Sequence, residues 1–160
     1  MRYLWGLLLG MMLMMSTTAA SANDYGARGA LQTPKPTLQE MLNFAIQDEY
    51  LAKAQYSAIL DTFGKVRPFS NIVQAEGQHI AELQPLFNDR GLDVPSDESK
   101  PYVVNPQSLA DAMKIGEQAE IDNIAMYEHF LRQPDVPEDV KAVFSRLLAA
   151  SQRHLNAFRR

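Results

Sequence analysis

Apolar residues recur in alternating steps of three and four along four stretches of the chain. That spacing turns one face of an α-helix toward a core. The first stretch opens at Thr37-Leu38-Gln39-Glu40, a capping box in which hydroxyl and carboxylate serve the free amides of a helix start, and runs to about Phe63. Gly64 suits a left-handed cap behind it. The second runs from Pro68, at a first helical position, to about Asn88; Pro85 lies in its last turn and Gly91 and Pro95 stop it. The third opens at Ser108, with Asp111 three residues on, and runs to about Arg132. Pro134 and Pro137 break the chain, and Glu138 and Asp139 favour a fourth start by their charge. Pro101 to Asn105 is β-like but too short for a credible strand, so the pattern predicts an all-α domain.

Helix connections are short except the one between the second and third helices. About 19 residues there reach roughly 60 Å if extended, whereas a helix of ~25 residues is only ~38 Å long. This linker can therefore cross the full length of a bundle. Ahead of the helices, residues 23–36 have no apolar period and carry two Gly and two Pro, which reads as a flexible leader. Residues 1–22 read as a secretory signal peptide: Arg2, an apolar run from Leu4 to Met15, and the cleavage site Ala20-Ser21-Ala22. The run falls short of the roughly 20 apolar residues a membrane span needs. The expected product is periplasmic or secreted, begins after Ala22, and has no stable membrane insertion. The domain is residues 37–160.

Composition narrows the chemistry. A net charge of −4 removes the electrostatic basis for nucleic-acid binding. The absence of cysteine excludes disulfides, thiolate zinc sites, iron–sulfur clusters and cysteine nucleophiles. Any metal site must be built from carboxylate and imidazole.

The inward positions supply both. The seams are apolar at their ends and polar in the middle: Glu49 on the first helix, Glu76 and His79 on the second, Glu120 on the third, Ser151 and His154 on the fourth. A lone buried carboxylate is costly and protonates instead. Acids from three helices at one level, with two imidazoles, call for a cation. The competing reading is an accidental polar layer.

The halves of the chain also repeat. Phe69-Ser70, Ile72-Val73, Ala75-Glu76 and His79 match Phe144-Ser145, Leu147-Leu148, Ala150-Ser151 and His154. Glu49 with Tyr56 matches Glu120 with Tyr127 at the same separation of seven. A pseudo-two-fold would face Glu49 with Glu120 and His79 with His154, which suits two metals side by side. Tyr56 and Tyr127 lie two turns from the acids on the same face. They read either as partners of the ligand carboxylates or as core residues. Tyr50 reads as packing and His129 as surface.

The chain resembles the ferritin-like di-iron carboxylate proteins, whose ligand set is a Glu on helices one and three with Glu-x-x-His on helices two and four. Asp48-Glu49-Tyr50, Arg67-Pro68-Phe69-Ser70-Asn71-Ile72, Ala75-Glu76 with His79, and Ala150-Ser151 with His154-Leu155 are similar to a prokaryotic ferritin-like family, domain of unknown function 2202. The resemblance implies a ferritin-like four-helix bundle with the long crossover between helices two and three. It implies two iron ions, with manganese or zinc as alternatives, on Glu49, Glu120, bridging Glu76, His79 and His154. Ser151 departs from the pattern, standing where a second bridging Glu belongs. Glu117, one turn before Glu120, is the candidate to swing in; a solvent hydroxide, or a single tightly bound metal, are the alternatives.

The expected function is oxidation of ferrous iron or reduction of oxygen or peroxide by a monomer or dimer, with the electron donor external. Alternatives from other classes are a non-catalytic metal-sequestering protein and a bundle that its metal merely stabilises.

Overall fold

The computed structural model describes residues 24–160; the expected signal segment, residues 1–22, lies outside the described residues. The elements are α1 (Gly26–Gln32), α2 (Leu38–Phe63), α3 (Phe69–Asn88), a 3-10 turn (Lys100–Tyr102), α4 (Leu109–Leu131) and α5 (Glu138–Phe158). The described residues are all-α, as the periodicity predicts, and contain no strand. None of these helices is long and apolar enough to cross a membrane.

The caps follow the sequence closely. The Thr37 hydroxyl accepts from the Glu40 amide at 3.3 Å, and the Glu40 carboxylate accepts from the Thr37 amide at 2.7 Å. Ser108 accepts from the Asp111 amide at 3.1 Å. Two boundaries differ. Pro68 is the cap before α3 rather than its first residue. Gly64 takes φ 80° with ψ −169°, a positive φ outside the left-handed helical region.

Cross-helix contacts fix the directions. Tyr127 on α4 meets Glu49 on α2 while Tyr56 meets Glu120, so α2 and α4 are antiparallel. Arg146 on α5 meets Glu82 on α3 while His154 meets Glu76, so α3 and α5 are antiparallel. Helices α2 and α3 form one antiparallel hairpin, α4 and α5 another. The order is therefore up, down, down, up. Helices α3 and α4 run the same way, and residues 89–108 must travel the length of the bundle to join them.

The core has two apolar ends. One is built around Leu42, Ile46, Leu83, Phe87, Phe130 and Phe144. The other is built around Tyr56, Ile59, Phe69, Ile72 and Phe158. Leu109, the first residue of α4, is 41% exposed and lies outside both clusters. Gly116 marks the tightest crossing: a Cβ there would strike the Phe158 ring. Gly116→Val is expected to destabilise the fold by about 1–3 kcal/mol, because the ring has to move. A lowered urea midpoint at unchanged slope would report it.

The flexible leader expected over residues 23–36 is not what forms. Residues Gly26–Gln32 are helical and pack on α2 and α4. Ala27 and Ala30 are buried, and a Cβ at Gly29 would meet the Phe44 ring at 2.6 Å. Small residues let this helix lie close, which is why it shows no large-apolar period. Its first amides donate to α2 side chains, Gly26 to Gln47 at 3.3 Å and Ala27 to Asp48 at 2.8 Å. Tyr25 stacks on Tyr102 with ring centres 4.4 Å apart, tying this segment to the crossover. The Pro101–Asn105 patch is partly 3-10 turn. Beyond the turn, Gln55 grips Val104 as a strand would: Nε2 donates to the Val104 carbonyl at 2.7 Å and Oε1 accepts from its amide at 2.8 Å.

Candidate metal centre

Between the apolar ends lie two overlapping triads, Glu49–Glu76–His79 and Glu76–Glu120–His154; within each, one ligand atom per residue lies within 4.8 Å of the others. Each triad draws on more than one helix, because the hairpins bring α2 and α4 to the same level as α3 and α5. Glu76 is common to both. Its Oε2 is 2.8 Å from His79 Nδ1 and its Oε1 is 3.3 Å from His154 Nδ1. Glu49 lies 3.0 Å from His79 Nδ1, and Glu120 lies 3.4 Å from His154 Nδ1. The two imidazole rings are stacked 5.6 Å apart. The glutamates are 1–3% exposed, so these are interior charges rather than a solvated acidic face.

The tyrosines are both core residues and carboxylate partners. Tyr127 donates to Glu49 Oε1 at 2.6 Å, and Tyr56 donates to Glu120 Oε1 at 2.8 Å. Each hairpin thus orients the acid of the other. Tyr127→Phe leaves Glu49 Oε1 with only the long 3.4 Å contact from Asn123 Nδ2; a loss of about 1–3 kcal/mol in stability is expected by chemical denaturation. Tyr56→Phe should behave alike.

The pseudo-symmetry breaks at Ser151, which is buried and donates to Asn123 Oδ1 at 2.6 Å. Asn123 Nδ2 donates to Asp48 Oδ2 at 2.7 Å and reaches Glu49 Oε1 at 3.4 Å. A hydrogen-bonded chain from Ser151 through Asn123 to the Asp48 carboxylate stands beside the position where a fourth acid was expected. Glu117 does not replace it. Its carboxylate accepts from Arg159 Nε at 2.7 Å on the bundle flank, held there by a cation from the chain's far end. His129 is half-buried rather than surface, its Nε2 lying 2.9 Å from the Thr33 carbonyl oxygen. Tyr50 packs as expected and donates to the Pro95 carbonyl. Asp48 and Gln55 are the polar residues that seam tracing missed; Asp48 adjoins Glu49 in the quoted motif, but nothing in the period marks it.

Electrostatics follow from the burial. Desolvation pushes Glu49 up to about 8 against the bond from His79, and Glu120 is likewise raised by burial. Glu76 goes the other way: burial opposes ionisation, but the two imidazoles beside it, His154 and His79, hold it at about 2. Burial pulls both imidazoles down, and their carboxylate neighbours outweigh it, lifting His79 to about 10 and His154 to about 9. Burial lifts Asp48 to about 6 against bonds from Ala27 and Asn123. Without a cation, then, protons compensate the acids. His154 Nδ1 remains buried without a hydrogen-bond partner: it is near two carboxylates and aligned with neither. An orphaned nitrogen among oxygen donors fits a metal ion better than a proton, and the sulfur-free donor set suits iron, manganese or zinc.

A cavity of about 620 Å³ adjoins the centre. Glu76, Glu120 and Tyr56 form part of its lining on the bundle side, and Tyr102, Val103 and Val104 of the crossover line it on the outside.

Fold and site together define an all-helical bundle with a buried carboxylate–imidazole cluster that could hold metal ions. No family model matches the chain. The chain is 27% identical over 127 residues to the uncharacterized protein MJ0754 of Methanocaldococcus jannaschii, covering 70% of this chain and 68% of that one. The crystal structure of the hypothetical protein MJ0754 from Methanococcus jannaschii aligns with a TM-score of 0.66 at 24% identity, over 79% of this chain and 82% of the other. That likeness is one of fold.

Proposed function

We propose that the chain is an exported, ferritin-like di-metal protein whose centre takes two iron ions and oxidises ferrous iron or reduces peroxide. The observation that carries this reading is Glu76, with one oxygen facing each imidazole and one acid beyond each: Glu49 on one side, Glu120 on the other. Glu49 with His79 and Glu120 with His154 would be the terminal pairs and Glu76 the bridge. Bound iron supplies reactivity toward oxygen and peroxide that no side chain here has. The chain's own residues do the rest. Tyr56 and Tyr127 hold the terminal carboxylates in orientation. The apolar ends keep bulk water from the centre along the bundle axis. With no cysteine to build an electron relay, electrons come from an external donor or from ferrous iron itself. The apolar run and Ala20-Ser21-Ala22 support export to the periplasm or beyond.

The test is ferrous titration in air, followed optically with elemental analysis. Turnover requires more iron oxidised than the chain retains. A second reading, a non-catalytic metal holder, is favoured by Ser151 at a bridging position. It predicts uptake of about two ions per chain with no oxidation beyond that stoichiometry.

A further inference from the structure

The cavity beside the centre is far larger than iron oxidation or peroxide reduction requires. Water and peroxide need space on the order of 30 Å³, whereas the cavity holds about 620 Å³. Small-molecule pockets typically span ~300–1,000 Å³. Building on the metal reading, we propose that this cavity binds a small organic monocarboxylate with an apolar body, its head group toward Glu76 and Glu120.

Three observations specify the ligand. The first is charge. The centre offers three carboxylates and two imidazoles, neutral when they ligate, so two divalent ions would keep a surplus positive charge. Glu117 is committed to Arg159 and Ser151 to Asn123, and neither removes it. An anion entering from the cavity would, in place of the solvent hydroxide. The second is the wall. Leu51 and Ala52 on α2, Ile115 and Ala119 on α4, and Val103 of the crossover offer apolar surface to a ligand's body. The third is the rim. Arg28 and Lys114 line the cavity with exposed side chains and make no ion pair among the described residues. Asp122 and Asp48 share this lining and keep their charge, but they accept from Gln118 at 2.8 Å and from Ala27 and Asn123, and neither forms an ion pair with Arg28 or Lys114. Free cations at the edge of a low-dielectric cleft draw in anions.

The test uses the metal-loaded full chain with octanoate and its uncharged counterpart octanol as probes, read by calorimetry. Metal content is measured separately on the same samples. Octanoate is expected to bind once per chain and at least about tenfold more tightly than octanol. Ile115→Trp, which fills the cavity without touching a ligand, should weaken octanoate about tenfold or more while leaving metal content unchanged. Leu51→Trp, on the α2 side of the lining, provides the same readout should Ile115→Trp misfold. Arg28→Ala with Lys114→Ala should slow octanoate association and flatten its salt dependence. Normal metal content with no octanoate binding overturns this inference and leaves the metal reading standing, as does equal binding of octanoate and octanol. Binding that neither tryptophan alters also overturns it. Failure to take up metal at all overturns the metal reading and this inference with it.

Discussion

Glu76→Ala is expected to abolish metal binding in both halves of the centre, whereas Glu49→Ala and Glu120→Ala each weaken one half. Glu76 is the residue common to the two triads, with an oxygen toward each imidazole. Losing the one carboxylate that serves both triads is expected to lower metal affinity by roughly a hundredfold or more, about 3 kcal/mol. Elemental analysis after dialysis against a fixed metal concentration separates the three variants. If Glu76→Ala retained as much metal as either single-triad variant, Glu76 would not be a bridge. Any oxidation of ferrous iron should disappear with it.

The second large effect is a reversal of pH dependence on metal loading. In the metal-free chain, His79 and His154 are lifted from 6.5 to about 10 and about 9 by their acid neighbours. Groups raised on folding stabilise fully below their unfolded value and lose that contribution as pH climbs through the folded one. Glu49 acts in the same direction, its contribution fading between 4.5 and about 8. Glu76, held near 2, contributes above its ordinary 4.5 and loses that contribution only in strong acid. Stability of the metal-free protein should therefore fall between pH 6.5 and about 10, by an amount on the order of a few kcal/mol. With metal the sign inverts, because the ligands must shed their protons to bind and uptake releases them. The added stability follows mass action, about 4 kcal/mol at a thousandfold excess over Kd. Thermal melts across this range, with and without manganese, read both slopes. Parallel slopes would mean that the cluster takes no ion.

Much of this was legible in the chain. The four long helices announce themselves because each buries large apolar residues on a regular stripe and carries its own cap chemistry. The acids and imidazoles stood out because they interrupt those stripes at one level. The separation of seven between Glu49 and Tyr56, repeated at Glu120 and Tyr127, marked the tyrosines. What was hidden shares a different physics. Helix α1 buries Ala27 and Ala30 instead of a large apolar stripe, so periodicity is blind to it. Asp48 points off the seam because its partners, the Ala27 amide and Asn123, belong to other helices. Glu117 looked available until the fold brought Arg159 back across 42 positions of sequence. Gln55 recognises a backbone, which leaves no compositional trace.

The crossed tyrosines make the two hairpins thermodynamic hostages of one another. Because each carboxylate takes its orientation from a phenol on the opposite hairpin, neither half carries a complete coordination environment by itself. Grip on the cation and docking of the halves are then one equilibrium: a substitution that loosens the seam far from the centre should let the ion escape sooner, and a bound ion should slow the parting of the halves.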